Sequence, residues 1–245
     1  MRTLLISGSD TGIGKTRVTG VLAALLPATG EAVQLVKPVE TGVRGDGPGD
    51  AENALGLARK QAEGAPGGAA GRERVGGGIS AHTLSRFPDP LAPMAAAGRA
   101  GTPLDCDRLL ENLNTLSACD WRLIEGAGGI AVPLGEGGFD WTDFAAALGK
   151  VHVVLVVPDR LGAINQARLT AHYVRGRALA FSIWLNEVEP QSEEIRNANR
   201  TGLQSSGITS CFSLRRDALI PEDPQTVRAF YRRVNAREPI SSEPR

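Results

Sequence analysis

The first 26 residues constrain this chain most. Leu4-Leu5-Ile6 is an apolar run that breaks at Ser7-Gly8-Ser9-Asp10-Thr11-Gly12-Ile13-Gly14-Lys15-Thr16, and a helical pattern continues from Arg17 to Leu26. Strand, glycine-rich turn, Gly-Lys-Thr and helix, in that order, form the grammar of a phosphate-binding loop. Glycines let successive backbone N–H groups converge on anionic oxygens, and the helix adds the positive end of its dipole. Lys15 is placed to reach terminal phosphates, and the Thr16 hydroxyl to ligate Mg²⁺. Five residues separate Gly8 from Gly14, one more than the common spacing, and Ser9 stands where the common pattern has glycine. An ordinary glycine-rich turn would leave Lys15-Thr16 at the helix start unexplained.

Apolar runs alternate with helical patterns along the rest of the chain. Strands are expected at Thr3–Ser7, Val33–Val39, Arg122–Glu125, Val151–Val157, Ala180–Leu185 and Thr209–Leu214. Helices are expected at Thr16–Leu26, Ala51–Ala62, Asp105–Ser117, Trp141–Leu148, Ile164–Arg175, Glu193–Ser205 and Pro224–Ala236, with Asp105 and Asp223 as N-caps. Several strands are continuous apolar runs, as in a parallel sheet covered on both faces. The pattern predicts an α/β fold: one doubly wound, mostly parallel sheet with helices on both faces, in a single domain over 1–237. Glu63–Gly78, rich in Gly and Ala, is expected to be a flexible surface excursion, and the tail 238–245 to be disordered.

Composition narrows the function. With 27 basic and 27 acidic residues, nothing points to a nucleic-acid or anionic-membrane partner. No signal peptide and no membrane-length apolar run is expected. Cys106, Cys119 and Cys211 form no pairable or zinc-like spacing, which fits a reducing cytoplasm. Cys119 reads as a buried apolar residue in preference to a reactive thiol. His82, His152 and His172 are too scattered in sequence to propose a histidine-based site. Arginine outnumbers lysine 23 to 4, yet Lys15 and Lys37 both lie in functional-looking motifs. There a compact ammonium differs from a planar guanidinium.

Ligands of doubly wound sheets bind beyond the carboxyl ends of the strands, and three further segments fall there. Val36-Lys37-Pro38-Val39-Glu40-Thr41-Gly42 puts an ammonium at a strand end, facing the same crevice as the loop. It is otherwise a solvated strand-end lysine. Thr41 either hydrogen-bonds a substrate or closes a turn. In Gly49-Asp50-Ala51-Glu52-Asn53, Asp50 is an N-cap or, beside a phosphate loop, a Mg²⁺ ligand. Arg122-Leu123-Ile124-Glu125-Gly126-Ala127-Gly128-Gly129 ends a strand in a carboxylate where phosphate-loop enzymes place a magnesium partner.

Taken in order, these motifs resemble the dethiobiotin synthetases. That family carries Gly-Thr-Asp-Thr-x-x-Gly-Lys-Thr with the spacing of Gly8 to Thr16. It carries Lys-Pro-Val before Ser/Thr-Gly, as in Lys37 to Gly42, and a Ser-Asp-Ala-like segment, as in Gly49-Asp50-Ala51. A proline-spaced stretch before an Ala-Ala helix is similar to Phe87-Pro88-Asp89-Pro90-Leu91-Ala92-Pro93-Met94-Ala95-Ala96. Glu-Gly-Ala-Gly-Gly before Pro-Leu matches Glu125–Gly129 and Pro133-Leu134, and Leu-Gly-x-Ile-Asn matches Leu161 to Asn165. The likeness spans roughly residues 3 to 190.

The resemblance implies a P-loop NTPase-like fold and a reaction in which ATP, Mg²⁺ and CO₂ close a cyclic urea on diaminopelargonic acid (7,8-diaminononanoate). The products would be dethiobiotin, ADP and phosphate. It implies catalytic roles for Lys37, Lys15 and Thr11, and Mg²⁺ on Thr16, Asp50 and Glu125. Nucleotide contacts are implied at Gly12, Ile13, Gly14, Lys15, Thr16, Glu125, Gly126 and Asn186, with Asn186 reading adenine. Substrate contacts are implied at Thr41, Gly128 and the helix start Gly162-Ala163-Ile164-Asn165, reached across a homodimer interface. Two departures stand out. Phe212-Ser213-Leu214-Arg215-Arg216 stands where the family often has Gly-x-Ile-Pro near adenine, and Gly12 replaces a larger residue seen in some members.

Other readings fit less well. An amide synthase relative of the cobyrinic-acid type would need a glutamine-handling domain, for which there is no room. A partition or septum-placement switch ATPase would carry a second lysine early in the loop, and Ser9-Asp10-Thr11 has none. An inactive nucleotide-binding module is the remaining reading.

Overall fold

The computed structural model describes residues 1–27, 30–45, 47–64, 78–209, 211–218 and 224–235. The strands are β1 (Arg2–Gly8), β2 (Val33–Thr41), β3 (Ile79–Phe87), β4 (Trp121–Glu125), β5 (Val151–Pro158), β6 (Ala180–Asn186) and β7 (Cys211–Leu214). The helices are α1 (Lys15–Leu25), α2 (Asp50–Gly64), α3 (Pro93–Arg99), α4 (Cys106–Thr115), α5 (Trp141–Leu148), α6 (Ala163–Arg175), α7 (Glu193–Ser205) and α8 (Pro224–Asn235). The strands form one sheet in the order β3-β2-β4-β1-β5-β6-β7, every pair parallel.

The continuous apolar strands are explained by burial on two faces. Along β5, Val153, Leu155 and Val157 enter one core while Val154 and Val156 enter the other. Along β1, Leu5 faces the first core, Leu4 and Ile6 the second. The first core is closed by α3 to α7 through residues such as Ala97, Leu113, Phe144, Ala167 and Leu203. The second is closed by α1, α2 and α8 through Val18, Leu22, Ala58 and Phe230. Period-two alternation into two helical layers makes an unbroken apolar strand the low-energy solution.

Two elements lay beyond the apolar pattern. β3 is the sheet's edge, paired with β2 alone. Most of its residues are only half-buried, so Ile79-Ser80-Ala81-His82-Thr83-Leu84-Ser85-Arg86-Phe87 never forms an apolar run. α3 is a short helix entered through Pro93 and shows too few turns for a periodic signal. Asp105 is the N-cap of α4, accepting from the Arg108 N–H at 2.9 Å. Asp223, the tail 238–245 and residues 65–77 of the expected excursion lie outside the described residues. Cys106, Cys119 and Cys211 are free and half-buried. Burial raises their thiol pKa values, that of Cys211 to about 12, so Cys119 is neither deeply buried nor an activated thiolate. Among the described residues no helix is long and apolar enough to cross a membrane.

Candidate active site

The loop after β1 opens at the centre of the sheet, between β4 and β5. Its last residue, Gly14, is the N-cap of α1 in the left-handed conformation (φ 87°), and a Cβ there would lie 2.2 Å from Asn186 Nδ2. Glycine is therefore required twice, for its backbone angle and for its missing side chain. α1 has no side-chain cap and no acidic residue in its first turn, so its leading N–H groups and dipole are offered to an anion. Lys15 Nζ donates to the Asp10 carbonyl at 2.7 Å, drawing the loop around its own ammonium.

β2 delivers the second ammonium. Its pairing with β4 stops at Val36–Ile124, so Pro38, which lacks an N–H, falls where no β4 partner needs one. Lys37 emerges there as a buried residue, 3% exposed, and not as the alternative solvated strand-end lysine. Its Nζ donates to Asp50 Oδ2 at 2.5 Å, Glu125 Oε1 at 3.0 Å and, more weakly, the Gly126 carbonyl at 3.4 Å. Asp50 is the first residue of α2, with Gly49 in the N-cap position. Its carboxylate faces Lys37 and does not cap the helix. Glu125, the last residue of β4, accepts from Thr16 Oγ1 at 2.9 Å and from Thr19 Oγ1 at 3.1 Å.

Burial sets the charge states. Burial, reinforced by Lys37, lowers the Lys15 ammonium to about 8. Burial also opposes the charge on Lys37, but Glu125 and Asp50 outweigh it and raise its pKa. For Asp50 burial opposes the charge, but the Lys37 ammonium together with hydrogen bonds to Lys37, Glu125 and Thr16 outweighs it and holds the carboxyl below its usual value. Glu125 is the most deeply buried of the set, and burial pushes it up against the pull of Lys37. Two cations and two carboxylates thus share a region into which further anions can enter.

These groups line one open cleft of about 320 Å³. The loop and α1 contribute Thr11, Gly12, Gly14, Lys15 and Thr16. β2 and α2 contribute Lys37, Thr41 and Asp50; β4 and its exit contribute Glu125, Ala127 and Gly128. The Thr16 hydroxyl and the two carboxylates present hard oxygen donors, and Glu125 and Asp50 already share one cation, the Lys37 ammonium. That donor set fits Mg²⁺. Among the described residues no three His, Cys, Asp or Glu side chains cluster for a metal, so phosphate and water oxygens would complete its shell.

The remaining expected residues lie outside the lining. Ile13 is buried, and its carbonyl accepts from Asn186 Nδ2 at 2.8 Å. Gly126 donates its N–H to the Ile6 carbonyl. Asn186 is 1% exposed, and its Oδ1 accepts from Arg17 Nη1 at 2.7 Å. Arg17 also donates to the carbonyls of Arg215 and Ala218, binding α1 to the segment after β7. The atoms through which Asn186 would read adenine therefore engage the loop and Arg17. Gly162-Ala163-Ile164-Asn165 starts α6, linked to the loop through Ser9 Oγ, which donates to Gln166 Oε1 at 3.1 Å. Sequence reasoning missed Thr19 and Arg17. Thr19 lies one turn beyond Thr16 on the same helix face, the signal that could have found it.

Residues 72–229 match the family described as an AAA domain. The ATP-dependent dethiobiotin synthetase BioD of Rhodococcus erythropolis is 41% identical over 219 residues, 85% of this chain and 86% of that protein. The BioD of Mycolicibacterium gilvum is 37% identical over 206 residues, 80% of each. Among solved structures, the septum site-determining protein MinD complexed with Mg-ADP from Pyrococcus horikoshii superposes with a TM-score of 0.50 at 16% identity. It covers 95% of this chain and 94% of that one. A plasmid partition protein from Borrelia burgdorferi gives 0.51 at 12%, covering 96% of each. These two share the fold alone, one parallel sheet with helices on both faces. At the identity and coverage of the two synthetases, this chain belongs to the ATP-dependent dethiobiotin synthetase family and is an ATP-dependent ligase of biotin biosynthesis.

Proposed function

We propose that this chain closes the urea ring of dethiobiotin on diaminopelargonic acid, with CO₂ as the carbon source and ATP as the activating reagent. One amine adds to CO₂, forming an N–C bond and, after loss of a proton, a carbamate. A carbamate oxygen takes the γ-phosphoryl group and ADP leaves. The second amine attacks the carbonyl of this mixed anhydride, phosphate departs and the ring is closed.

One observation carries this reading: Lys15 and Lys37 line the same cleft with Thr16, Asp50 and Glu125. The reaction brings triphosphate and carbamate together, so the protein's main tasks are positioning and charge neutralisation. Lys15 meets the β- and γ-phosphates and Lys37 lies between γ-phosphate and carbamate. Thr11, Thr41 and Gly128 orient oxygens, while Gly12, Ile13, Gly14 and Gly126 shape the phosphate cradle and Asn186 braces it. Thr16, Asp50 and Glu125 hold Mg²⁺, which supplies positive charge against the transferring phosphoryl group. No histidine is needed, since the carbamate oxygen is already anionic.

We place the substrate carboxylate at the start of α6, Gly162 to Asn165, whose N–H groups and dipole suit it. That segment lies outside the cleft lining of its own chain, while Leu161 (87% exposed), Leu169 and Tyr173 lie exposed on and beside α6. A second copy of the chain covering this face would make the enzyme a homodimer. The single domain over 1–237 and a cytoplasmic location belong to the same reading. The test incubates purified protein with diaminopelargonate, bicarbonate, Mg²⁺ and ATP, omitting each in turn. Dethiobiotin should form only from the complete mixture, and phosphate release without the diamine would overturn the proposal.

A further inference from the structure

Helix α2 is capped in an unusual way. Its N-cap position is Gly49, whose carbonyl accepts from the Asn53 N–H at 2.9 Å but which has no side chain to cap the first turn. Ser, Thr, Asp or Asn would ordinarily supply that acceptor. Here it comes from β2: Glu40 Oε1 accepts the Asp50 N–H at 2.6 Å. Glu40 is an acid buried to 2% exposure in an otherwise closely packed strand. Its other oxygen faces Thr83 Oγ1 at 3.5 Å and Arg86 at 3.9 Å. Arg86 also reaches Glu52 at 3.6 Å and the Gly47 carbonyl at 3.1 Å, and Glu52 accepts the Gly49 N–H at 3.0 Å.

The space at residue 49 is already taken. A Cβ on Gly49 would lie 2.0 Å from Glu40 Oε2 and 2.6 Å from its Cδ. Glycine at 49 and glutamate at 40 are therefore one device: the strand lends the cap, and the missing side chain makes room for it. The helix dipole favours the borrowed charge. Asp50 is consequently fixed at both ends, its N–H by Glu40 and its carboxylate by Lys37.

We infer that Glu40 is a positioning residue that sets Asp50 against Lys37 and Glu125, and through Asp50 fixes the affinity of the cleft for Mg²⁺. This rests on the reading of the cleft as a Mg²⁺–nucleotide site. Glu40 touches no reactant; it acts through the backbone of Asp50.

Wild type, Glu40→Gln, Glu40→Ala and Gly49→Ala are compared in two measurements. One is the Mg²⁺ concentration giving half-maximal binding of a non-hydrolysable ATP analogue, by calorimetry. The other is the Asp50 amide proton resonance. Glu40→Gln keeps the accepting oxygen and should stay within about threefold of wild type. Glu40→Ala and Gly49→Ala should raise the Mg²⁺ requirement about tenfold and move the Asp50 amide upfield, with Mg²⁺-free analogue binding unchanged within about twofold. A Glu40→Ala protein with a moved amide but an unaltered Mg²⁺ requirement overturns the inference. So does a Glu40→Gln protein as impaired as Glu40→Ala, since charge and not the cap would then be at work. If Glu40→Ala fails to fold, Gly49→Ala decides, because it displaces the carboxylate without removing it. Wild-type binding that ignores Mg²⁺ would refute the cleft reading itself and the inference with it.

Discussion

The ammonium of Lys37 lies 2.5 Å from the carboxylate of Asp50 and ties the middle of β2 to the first turn of α2. The same ammonium contacts Glu125, so it holds the two carboxylates assigned to a divalent ion. Lys37 and Mg²⁺ thus draw on one pair of anions. Lys37→Ala should tighten Mg²⁺ binding, leave nucleotide affinity within about tenfold and reduce turnover by at least about 100-fold. Calorimetry with the ATP analogue and single-turnover assays check all three; surviving turnover would remove Lys37 from the reaction.

Lys15 differs, because the proposed reaction has it meet the phosphates before and during transfer. Lys15→Ala should weaken nucleotide binding and catalysis together. The check is analogue affinity beside kcat, and unchanged affinity would count against a phosphate role.

Asn186 offers a test of bracing against reading. Its amide bonds the Ile13 carbonyl and the Arg17 guanidinium beneath the loop. Asn186→Ala leaves the buried Ile13 carbonyl unmet and takes one acceptor from Arg17, a cost of about 1–3 kcal/mol. If the residue braces the loop, affinity for ATP, GTP and CTP should fall in parallel. A loss confined to ATP would show that it reads the base.

His152 makes stability depend on pH. Its Nε2 lies 2.8 Å from Ser182 Oγ and its ring stands edge-on to Phe230. Burial, with Arg233 adding to it, lowers its pKa from 6.5 to about 4. The unfolded chain therefore binds a proton that the folded chain refuses. The contribution is complete above pH 6.5 and is lost as pH falls toward about 4, by up to about 1.4 kcal/mol per pH unit. Urea denaturation of wild type and His152→Gln between pH 7 and 4 should show curves that converge on acidification; parallel curves would refute this.

The exposed face of α6 predicts association. Leu169 is 63% exposed, beside exposed Tyr173. Leu169→Arg should shift sedimentation toward monomer and raise KM for the diamine more than for ATP, if the second copy completes the carboxylate site.

The candidate cleft was legible because most of its parts lie in or just after apolar strands and carry distinctive residues. The loop glycines, Lys37 after an apolar run, and Glu125 before glycines all carry local signatures. What escaped the sequence depends on neighbours remote in the chain. β3 is an edge strand whose half-exposed face breaks the apolar signal. Arg17 matters through carbonyls some 200 residues later, and Glu40 through a helix that begins after an intervening loop. For Asp50 the sequence left an N-cap and a Mg²⁺ ligand both open, and the tertiary contact with Lys37 shows that its carboxylate does not cap the helix.

In the proposed nucleotide site, the Lys15–Asp10 bond closes a ring before any ligand arrives. The ring it closes is a template made in advance, so an incoming polyanion exchanges one acceptor for another and need not organise slack chain. Substitutions near Asp10 should then be felt first as slower capture, with the shape of the seated complex little altered.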